Sequence, residues 1–521
     1  MVRFVQQLPA VARPVIVIDT RQLDDPGSAV AQSRASLSAS AITPARVLVL
    51  TDANSPLADS LTLEDLALCL QQWPDHWWLW LPAGCRLHER ALPWLMSEGT
   101  RFPQAALVYS DHDYIGEGGR RVEPQFKPDW APEFALASGY SGGVLAVRPE
   151  LLTRTLRDYR ALTPYALLLA AAEDTACHVR HVPHVLWHQP LDRAPGNASP
   201  DPVLLERYLS RTGRNAKVRM MPSGHLEIRD YLGDHVPLVS VVVPTRDRIE
   251  VLEPCIRSLL KHTDYPNFEL MIIDNQSEEA ATHRFLNALT SDPRVRVLPY
   301  GQPFNFSAIN NFAAAHARGE FLCLLNNDTE VVESGWLAEL VASARIGGVG
   351  VVGCQLRYPD GTLQHAGDLI SGAGGAHHLH GRMPADATGY MHRIMLRQEV
   401  SAVTAACLLT PRELFLSAGG MDAEQLPVAY NDVDYCLRLG EMGYRVIYTP
   451  YARLIHHESV SRGRHCQLSR QQRRQRFLEA ECLRTRWQHR LFRDPFYNPN
   501  LNYYRCDFSL DPWPDIRKPW G

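Results

Sequence analysis

The chain has 521 residues, 45% hydrophobic and 21% charged, with a formal net charge of -4. At about 100–200 residues per domain that length predicts two to four domains, and the near-neutral balance gives no global electrostatic case for nucleic acid. No run approaches the ~18 apolar residues that span a bilayer, and eleven cysteines without a CxxC pair predict reduced, mostly buried thiols and a cytoplasmic setting.

In chain order, the opening MVRFVQQLPAVARPVIVIDT has polar residues where a leader core would lie, so no signal peptide is expected. PVIVIDT and RVLVLTD read as buried strands, LEDLALCLQQW as a helix, and HWWLWL as a further strand followed by a turn-like cluster. A seam falls near Tyr231–Pro237. Beyond it, Val239–Val243 is β-branched and reads as a buried parallel strand. A helical pattern follows (Val251, Cys255, Ile256, Leu259, Leu260), then the strand FELMIIDN, a helix around Glu279–Leu289, the strand VRVLPY and a helix around Ser307–Ala317. The strand FLCLLNNDTEV comes next. Alternating strands and helices, with carboxylates just past strand ends, predict an α/β doubly wound sheet that binds ligands beyond its strand C-termini.

The two halves can be laid on each other. WLWLPAGCRL matches LCLLNNDTEV, GYSGGVLAVRPELL matches SAVTAACLLTPRELF, and TPYALLLA matches NDVDYCLR, which puts His188 on His456. One fold used twice is the expectation.

A polar cluster ending a buried strand suits a ligand. Asp328 can hold Mg²⁺ or Mn²⁺ against a diphosphate, since such ions take one or two carboxylates plus phosphate oxygens; a plain strand-end turn is the bland alternative. Asp274 ends the second buried strand, where a carboxylate can accept from a nucleobase imide. Asn431-Asp432-Val433-Asp434 opens an amphipathic helix. Capping explains part of that pattern, but it does not require both acids, and one of them can serve as a general base. His456, His457 and Glu458 follow a strand-like run and can complete a cation's shell or orient a diphosphate; a structural role is the ordinary one for a lone His. GGAHHLHGRMPADATGYMH lacks the spaced framework of a structural zinc site and reads as a mobile loop over a pocket.

With these motifs in order, residues from Pro237 to about Asn500 resemble family 2 inverting glycosyltransferases of the bacterial polysaccharide and O-antigen type, which have the GT-A fold. VSVVVPTRDR, IIDNQS, FNFSAINNFAAAHARGEFLCLLNNDTEV, GGMDAEQLPVAYNDVDYCLRL, HHESVSRG and DPFYNPNL carry the resemblance. It implies that Pro244, Thr245, Arg246, Asp274, Asn327 and Asp328 line the nucleotide. It implies a metal, Mn²⁺ or Mg²⁺, on Asp328 with His456, and Asp432 as catalytic base. Asp434, His457, Glu458 and Arg462 would contact acceptor or diphosphate. Two departures stand out: the family's Asp-x-Asp appears as Asn326-Asn327-Asp328, and Asn431 replaces the Glu of its Glu-Asp pair. The implied partners are a nucleotide-sugar donor, UDP- or dTDP-linked, and a glycan or lipid-linked acceptor, with peripheral membrane contact and no nucleic acid.

The first half resembles the family through YSDHDYIGEGGRR, FKPDW and VPHVLWH, but Pro82-Ala83-Gly84-Cys85 and Pro164-Tyr165-Ala166 stand where working acids belong. A degenerate glycosyltransferase-like domain over 1–230 is expected, then a catalytic domain over 236–460 and an Arg-rich helix and tail over 461–521 packing on it. Asp111 and Asp113 are either a surviving sugar contact or turn and cap formers. In the tail, Arg462 to Arg490 alternate with Phe477, Leu478, Cys482 and Trp487, which supply a predicted apolar side. The competing reading is a non-catalytic carbohydrate- or nucleotide-binding protein with both domains disarmed.

Overall fold

The computed structural model describes the chain except residues 1, 10–11, 22, 53–56, 175, 193–198, 372–374, 459–468 and 521. The strands of the first half are β1 (Val15–Asp19), β2 (Arg46–Leu50), β3 (Ser60–Leu61), β4 (Trp78–Pro82), β5 (Arg86–Leu87), β6 (Ala105–Ile115), β7 (Arg121–Gln125), β8 (Leu145–Val147) and β9 (His178–Pro190). They form one sheet in the order β3-β2-β1-β4-β8-β6-β9-β5, with β7 added beside β6. A hairpin of β10 (Ala216–Met220) and β11 (Leu226–Asp230) follows.

The second half contributes β12 (Val239–Thr245), β13 (Phe268–Asp274), β14 (Val295–Pro299), β15 (Phe321–Leu325), β16 (Thr329–Val331), β17 (Val349–Arg357), β18 (Leu363–His365), β19 (Asp368–Ser371), β20 (Gly375–His378), β21 (Gln398–Glu399), β22 (Cys407–Pro411) and β23 (Arg445–His456). Their main sheet runs β14-β13-β12-β15-β22-β17-β23-β16, the order of the first sheet strand for strand. Strands β12, β13 and β15 are parallel and β22 turns antiparallel against β15, as β1, β2 and β4 are parallel and β8 is antiparallel. The likeness extends to irregularities. The β6–β9 pairing slips at Ala105/Leu107 and Ser110/Asp111, and β17–β23 slips at Val349/Val351 and Cys354/Gln355.

The parallel strands are apolar on both faces because helices cover both. Val239, Val241, Val243, Leu270 and Ile272 pack on one side of the second sheet, and Val242, Met271, Ile273 and Leu324 on the other. The first sheet repeats this with Val15, Val17, Trp78 and Trp80 against Ile16, Ile18, Leu79 and Leu81.

A buried ionic network joins the halves. Glu133 binds Arg214 at 2.7 Å and approaches Arg445 and Arg397 at 3.6 and 3.8 Å. Arg397 continues to Asp230 at 2.5 Å and Glu339 at 2.8 Å. Burial alone would raise the Glu133 carboxyl, but the Arg214, Arg445 and Arg397 guanidiniums hold it well below its ordinary value.

The tail departs from expectation in two ways. It does not stay on the second half: Asn498 Nδ2 donates to Asp111 Oδ2 at 2.9 Å and to the Lys127 carbonyl at 2.8 Å, both in the first half. In the helix Arg470–Arg486, Phe477 and Leu478 are exposed, and the buried face is Glu479, Ala480 and Leu483, continued by Trp487. At 100° per residue, Phe477 and Leu478 turn away from the direction of Leu483 and Trp487, which are one helical turn apart.

Candidate functional site

The C-terminal ends of β12 and β15 open into a cleft of about 670 Å³. Pro244 and Thr245 end β12, and Asn326, Asn327 and Asp328 follow β15. Asn327 Nδ2 donates to Thr245 Oγ1 at 3.2 Å, so the two strand ends are tied across the floor. Beyond Thr245 the chain takes left-handed conformations at Asp247 (φ 51°) and Arg248 (φ 58°), uncommon for residues with a Cβ. Asp247 Oδ1 fixes that loop by accepting from the Glu278 and Glu279 amides, each at 2.8 Å. Arg246 and Arg248 thereby reach the cleft wall.

Asp328 is 6% exposed and lies against β23. Thr329 faces His456 across the antiparallel β16–β23 pair, which brings His456 Nε2 to 3.0 Å from Asp328 Oδ1. His456 Nδ1 donates to Gln364 Oε1 at 2.6 Å. That bond fixes the ring and, in the neutral imidazole, turns the Nε2 lone pair toward Asp328. A carboxylate oxygen and an imidazole nitrogen converging on one point at a cleft wall fit a divalent cation. The Asn326 amide lies 3.4 Å from the same Nε2, where the family pattern has its first carboxylate. Glu458 stands beside them, its Oε2 accepting from Tyr358 at 2.8 Å and Gln364 at 3.1 Å.

Asp432 also lines the cleft, at the start of the helix Asn431–Glu441. The residue before that helix, Tyr430, is left-handed (φ 60°), which turns the chain sharply into the cleft. Asp432 Oδ2 accepts from the Ala405 amide at 2.8 Å and Oδ1 from the Val433 amide at 2.9 Å. Burial raises this carboxyl above its ordinary value; the Ala405 bond opposes that and the Asp368 charge adds to it. Asn431 is buried and donates to Ser307 Oγ at 2.9 Å. The amide therefore holds the helix start against the helix Phe306–His316.

Not every expected residue reaches the cleft. Asp434 is fully buried and accepts from Arg438 at 2.8 Å, Arg486 at 2.8 Å and Trp487 at 3.0 Å, so it anchors the Arg-rich helix and contacts no ligand space. His457 turns outward to Glu330 at 3.1 Å. Asp274 ends β13 and accepts from the Ser277 amide at 3.1 Å, leaving Asn275 to line the wall. Arg462 lies outside the described residues. Gln364 and, from the tail, Gln475 and Arg476 join the site without a sequence motif to announce them, and Tyr430 and Ala405 join it from motifs that gave them no role.

The matching positions of the first half are closed. Ser33 stitches the turn after β4, donating to the Cys85 carbonyl at 2.9 Å and accepting from the Gly84 amide at 2.9 Å. The helix Pro164–Glu173 is apolar and buried through most of its length. Asp111 and Asp113 lie within β6, not in turns, and neither is open to a sugar. Asp111 binds His181 at 2.9 Å, and Asp113 binds His188 at 2.5 Å and Arg121 at 2.6 Å.

Comparison with known proteins bears on this arrangement. Residues 240–401 match the family model described as glycosyl transferase family 2. It is 40% identical over 425 residues to an uncharacterized protein, y4gI, of Sinorhizobium fredii, covering 78% of this chain and 46% of that one. It is 36% identical over 432 residues to the O-antigen biosynthesis protein RfbC of Myxococcus xanthus, covering 79% and 33%. This chain thus spans less than half the length of either relative. An N-acetylglucosaminyl-diphospho-decaprenol L-rhamnosyltransferase of Mycobacterium tuberculosis is 28% identical over 249 residues, 44% of this chain and 78% of that one. Among solved structures, a mannosyltransferase from Pyrobaculum calidifontis aligns at 18% identity with a TM-score of 0.35, over 51% of this chain and 66% of that one. The matched segment runs from β12 through β21 and so includes Asp328 and Gln364; Asp432 and His456 lie past its end.

Proposed function

We propose that the chain is an inverting glycosyltransferase of GT-A fold that moves a sugar from a nucleotide-diphosphate donor to a glycan or lipid-linked acceptor in cell-surface polysaccharide assembly. The observation that carries this reading is one cleft lined both by the Asp328–His456–Gln364 set and by Asp432. Relatives named for O-antigen biosynthesis and for rhamnosyl transfer to a lipid diphosphate support the substrate class.

The donor's nucleotide would lie over Pro244, Thr245, Arg246 and Asn327, its diphosphate toward Asp328. A bound Mn²⁺ or Mg²⁺ on Asp328 and His456 would neutralise charge on the departing diphosphate. Gln364 keeps the His456 ring turned to that position. Asp432 takes the proton of the acceptor hydroxyl as its oxygen bonds to the anomeric carbon. The bond from that carbon to the diphosphate breaks on the opposite face, and its electron pair leaves with the nucleotide. One displacement inverts configuration and needs no covalent intermediate.

The first half is read as a degenerate copy that supports the second. Ten described cysteines without disulfides support a reducing, cytoplasmic setting, and no described helix is long and apolar enough to cross a membrane. Exposed Phe477 and Leu478 among Arg470, Arg473 and Arg474 support peripheral contact with anionic lipid.

The test is a thermal-shift panel of UDP, dTDP, GDP and CMP, with and without Mn²⁺, on wild type and Asp328→Ala. One nucleotide should stabilise wild type, by about 2.7 kcal/mol at 100 times its dissociation constant, only with metal and not in the variant. No shift with any nucleotide contradicts the proposal and favours a disarmed glycan-binding protein, for which the amides Asn326 and Asn431 speak.

A further inference from the structure

A second group of metal-type side chains lies next to the cleft, and only one member, His378, falls in a tract named above. His365 ends β18, Asp368 begins β19 and His378 ends β20. Asp368 and His378 are direct cross-strand partners in the β19–β20 hairpin. Gly367, between His365 and Asp368, has φ 94°, and a Cβ there would stand 2.5 Å from Val400 Cγ1, so only glycine allows the turn that folds His365 back onto the pair. The site is therefore built by the backbone, and the three side chains are not brought together by chance surface proximity. The His-rich tract read as a mobile loop contributes a paired strand here, and two of the three residues lie before it.

The three ligand atoms converge. His365 Nδ1 and His378 Nδ1 are 3.2 Å apart, and they stand 3.6 and 2.6 Å from the same oxygen, Asp368 Oδ1. Hydrogens satisfy this poorly. A single His378 Nδ1–H must serve both Asp368 Oδ1 at 2.6 Å and His365 Nδ1 at 3.2 Å, and the His365 Nε2 is buried without a hydrogen-bond partner. A single cation between the three satisfies all of them. In a tetrahedral zinc site with bonds of 2.0–2.1 Å, neighbouring ligand atoms lie roughly 3.3 Å apart, close to the 3.2 and 3.6 Å found here. The remaining 2.6 Å is a hydrogen-bond length that opens when the ion replaces the proton.

We propose that His365, Asp368 and His378 form a second divalent-cation site, distinct in all its residues from Asp328 and His456, with zinc the best match to two imidazoles and a carboxylate. His365 and Asp368 side chains are 1% and 4% exposed, whereas His378 is 42% exposed and lines the cleft with Asp432. A fourth coordination position would thus face the cleft, where a hydroxyl or phosphate oxygen of its contents can occupy it. This inference stands whether or not the chain transfers a sugar.

The experiment uses metal-free full-length chain titrated with Zn²⁺ in calorimetry, and with Co²⁺ as an optical probe of tetrahedral geometry. Wild type should bind with a tetrahedral cobalt spectrum. His378→Ala, which changes a part-exposed side chain, should keep the wild-type melting temperature without metal and lose at least ~100-fold in zinc affinity, together with the cobalt spectrum. His378→Asn serves if the alanine variant melts early. Asp328→Ala should leave both signals intact. Wild-type zinc affinity in both His378 variants overturns the site, as does loss of the signals in Asp328→Ala, which would put the ion on Asp328 and His456. Absence of tight zinc binding in wild type overturns it too and leaves a proton-sharing cluster.

Discussion

The turns after β4 and β15 leave the same strand of two sheets with one strand order, and they meet opposite demands. After β4, Ala83-Gly84-Cys85 is apolar, and Ser33 satisfies its backbone from within. After β15, Asn326-Asn327-Asp328 turns polar side chains to a cleft, where Thr245 and His456 meet them. The buried strands before both turns are alike, so the sheet does not specify chemistry. A few residues past the strand ends do.

That comparison breaks most visibly at Asp432, which has no acidic counterpart at Pro164. Asp432→Asn should lower transfer by about 10²–10⁴-fold while nucleotide affinity stays unchanged; near-normal turnover would remove Asp432 as the base. Because the Asp432 carboxyl is raised by burial and must be ionised to work, kcat should fall with decreasing pH from a point above the ordinary carboxylate value of 3.8.

The next largest effect tests whether the first half is structural. Glu133→Gln leaves Arg214 and Arg397 facing a lost charge, and should cost about 3–5 kcal/mol in urea unfolding. The sign with pH follows from the lowered carboxyl. Its contribution is complete above the ordinary value of 4.5 and is lost as pH falls through the lower folded value. Wild type should therefore lose its advantage over the variant in acid.

A smaller effect belongs to Gln364. Gln364→Leu frees the His456 ring and should weaken Mn²⁺ binding about 10–100-fold, read by the paramagnetic signal of free ion. The smallest concerns donor binding on changing the first half's acids: Asp113→Asn should leave nucleotide affinity unchanged, since Asp113 is occupied by His188 and Arg121. A lost donor site would mean the first half is not passive.

Much of this was legible in the chain. Continuous apolar runs announced β1, β2, β4, β12, β13 and β15, with Asp328 and His456 legible at strand ends and Asp432 at a helix start. Asp434 lies in the core and not at the expected acceptor or diphosphate contact, as helix geometry explains: residues two apart on a helix point about 200° from each other, so Asp432 and Asp434 face different ways. Asp432 took the cleft and Asp434 the core. The His365–Asp368–His378 cluster was illegible for another reason. Its strands are three or four residues long, and its members are joined by cross-strand register and by the left-handed turn at Gly367, neither of which leaves a periodic signal. Gln364 is invisible in the same way, because its importance lies in what it does to His456, 92 residues away.

The central claim is one working donor site, in the second half. Calorimetric titration of the stabilising nucleotide diphosphate with Mn²⁺ tests it most directly. The account predicts one nucleotide bound per chain, with binding lost in Asp328→Ala and retained in Asp113→Asn. Two nucleotides per chain, or wild-type affinity in Asp328→Ala, would contradict it.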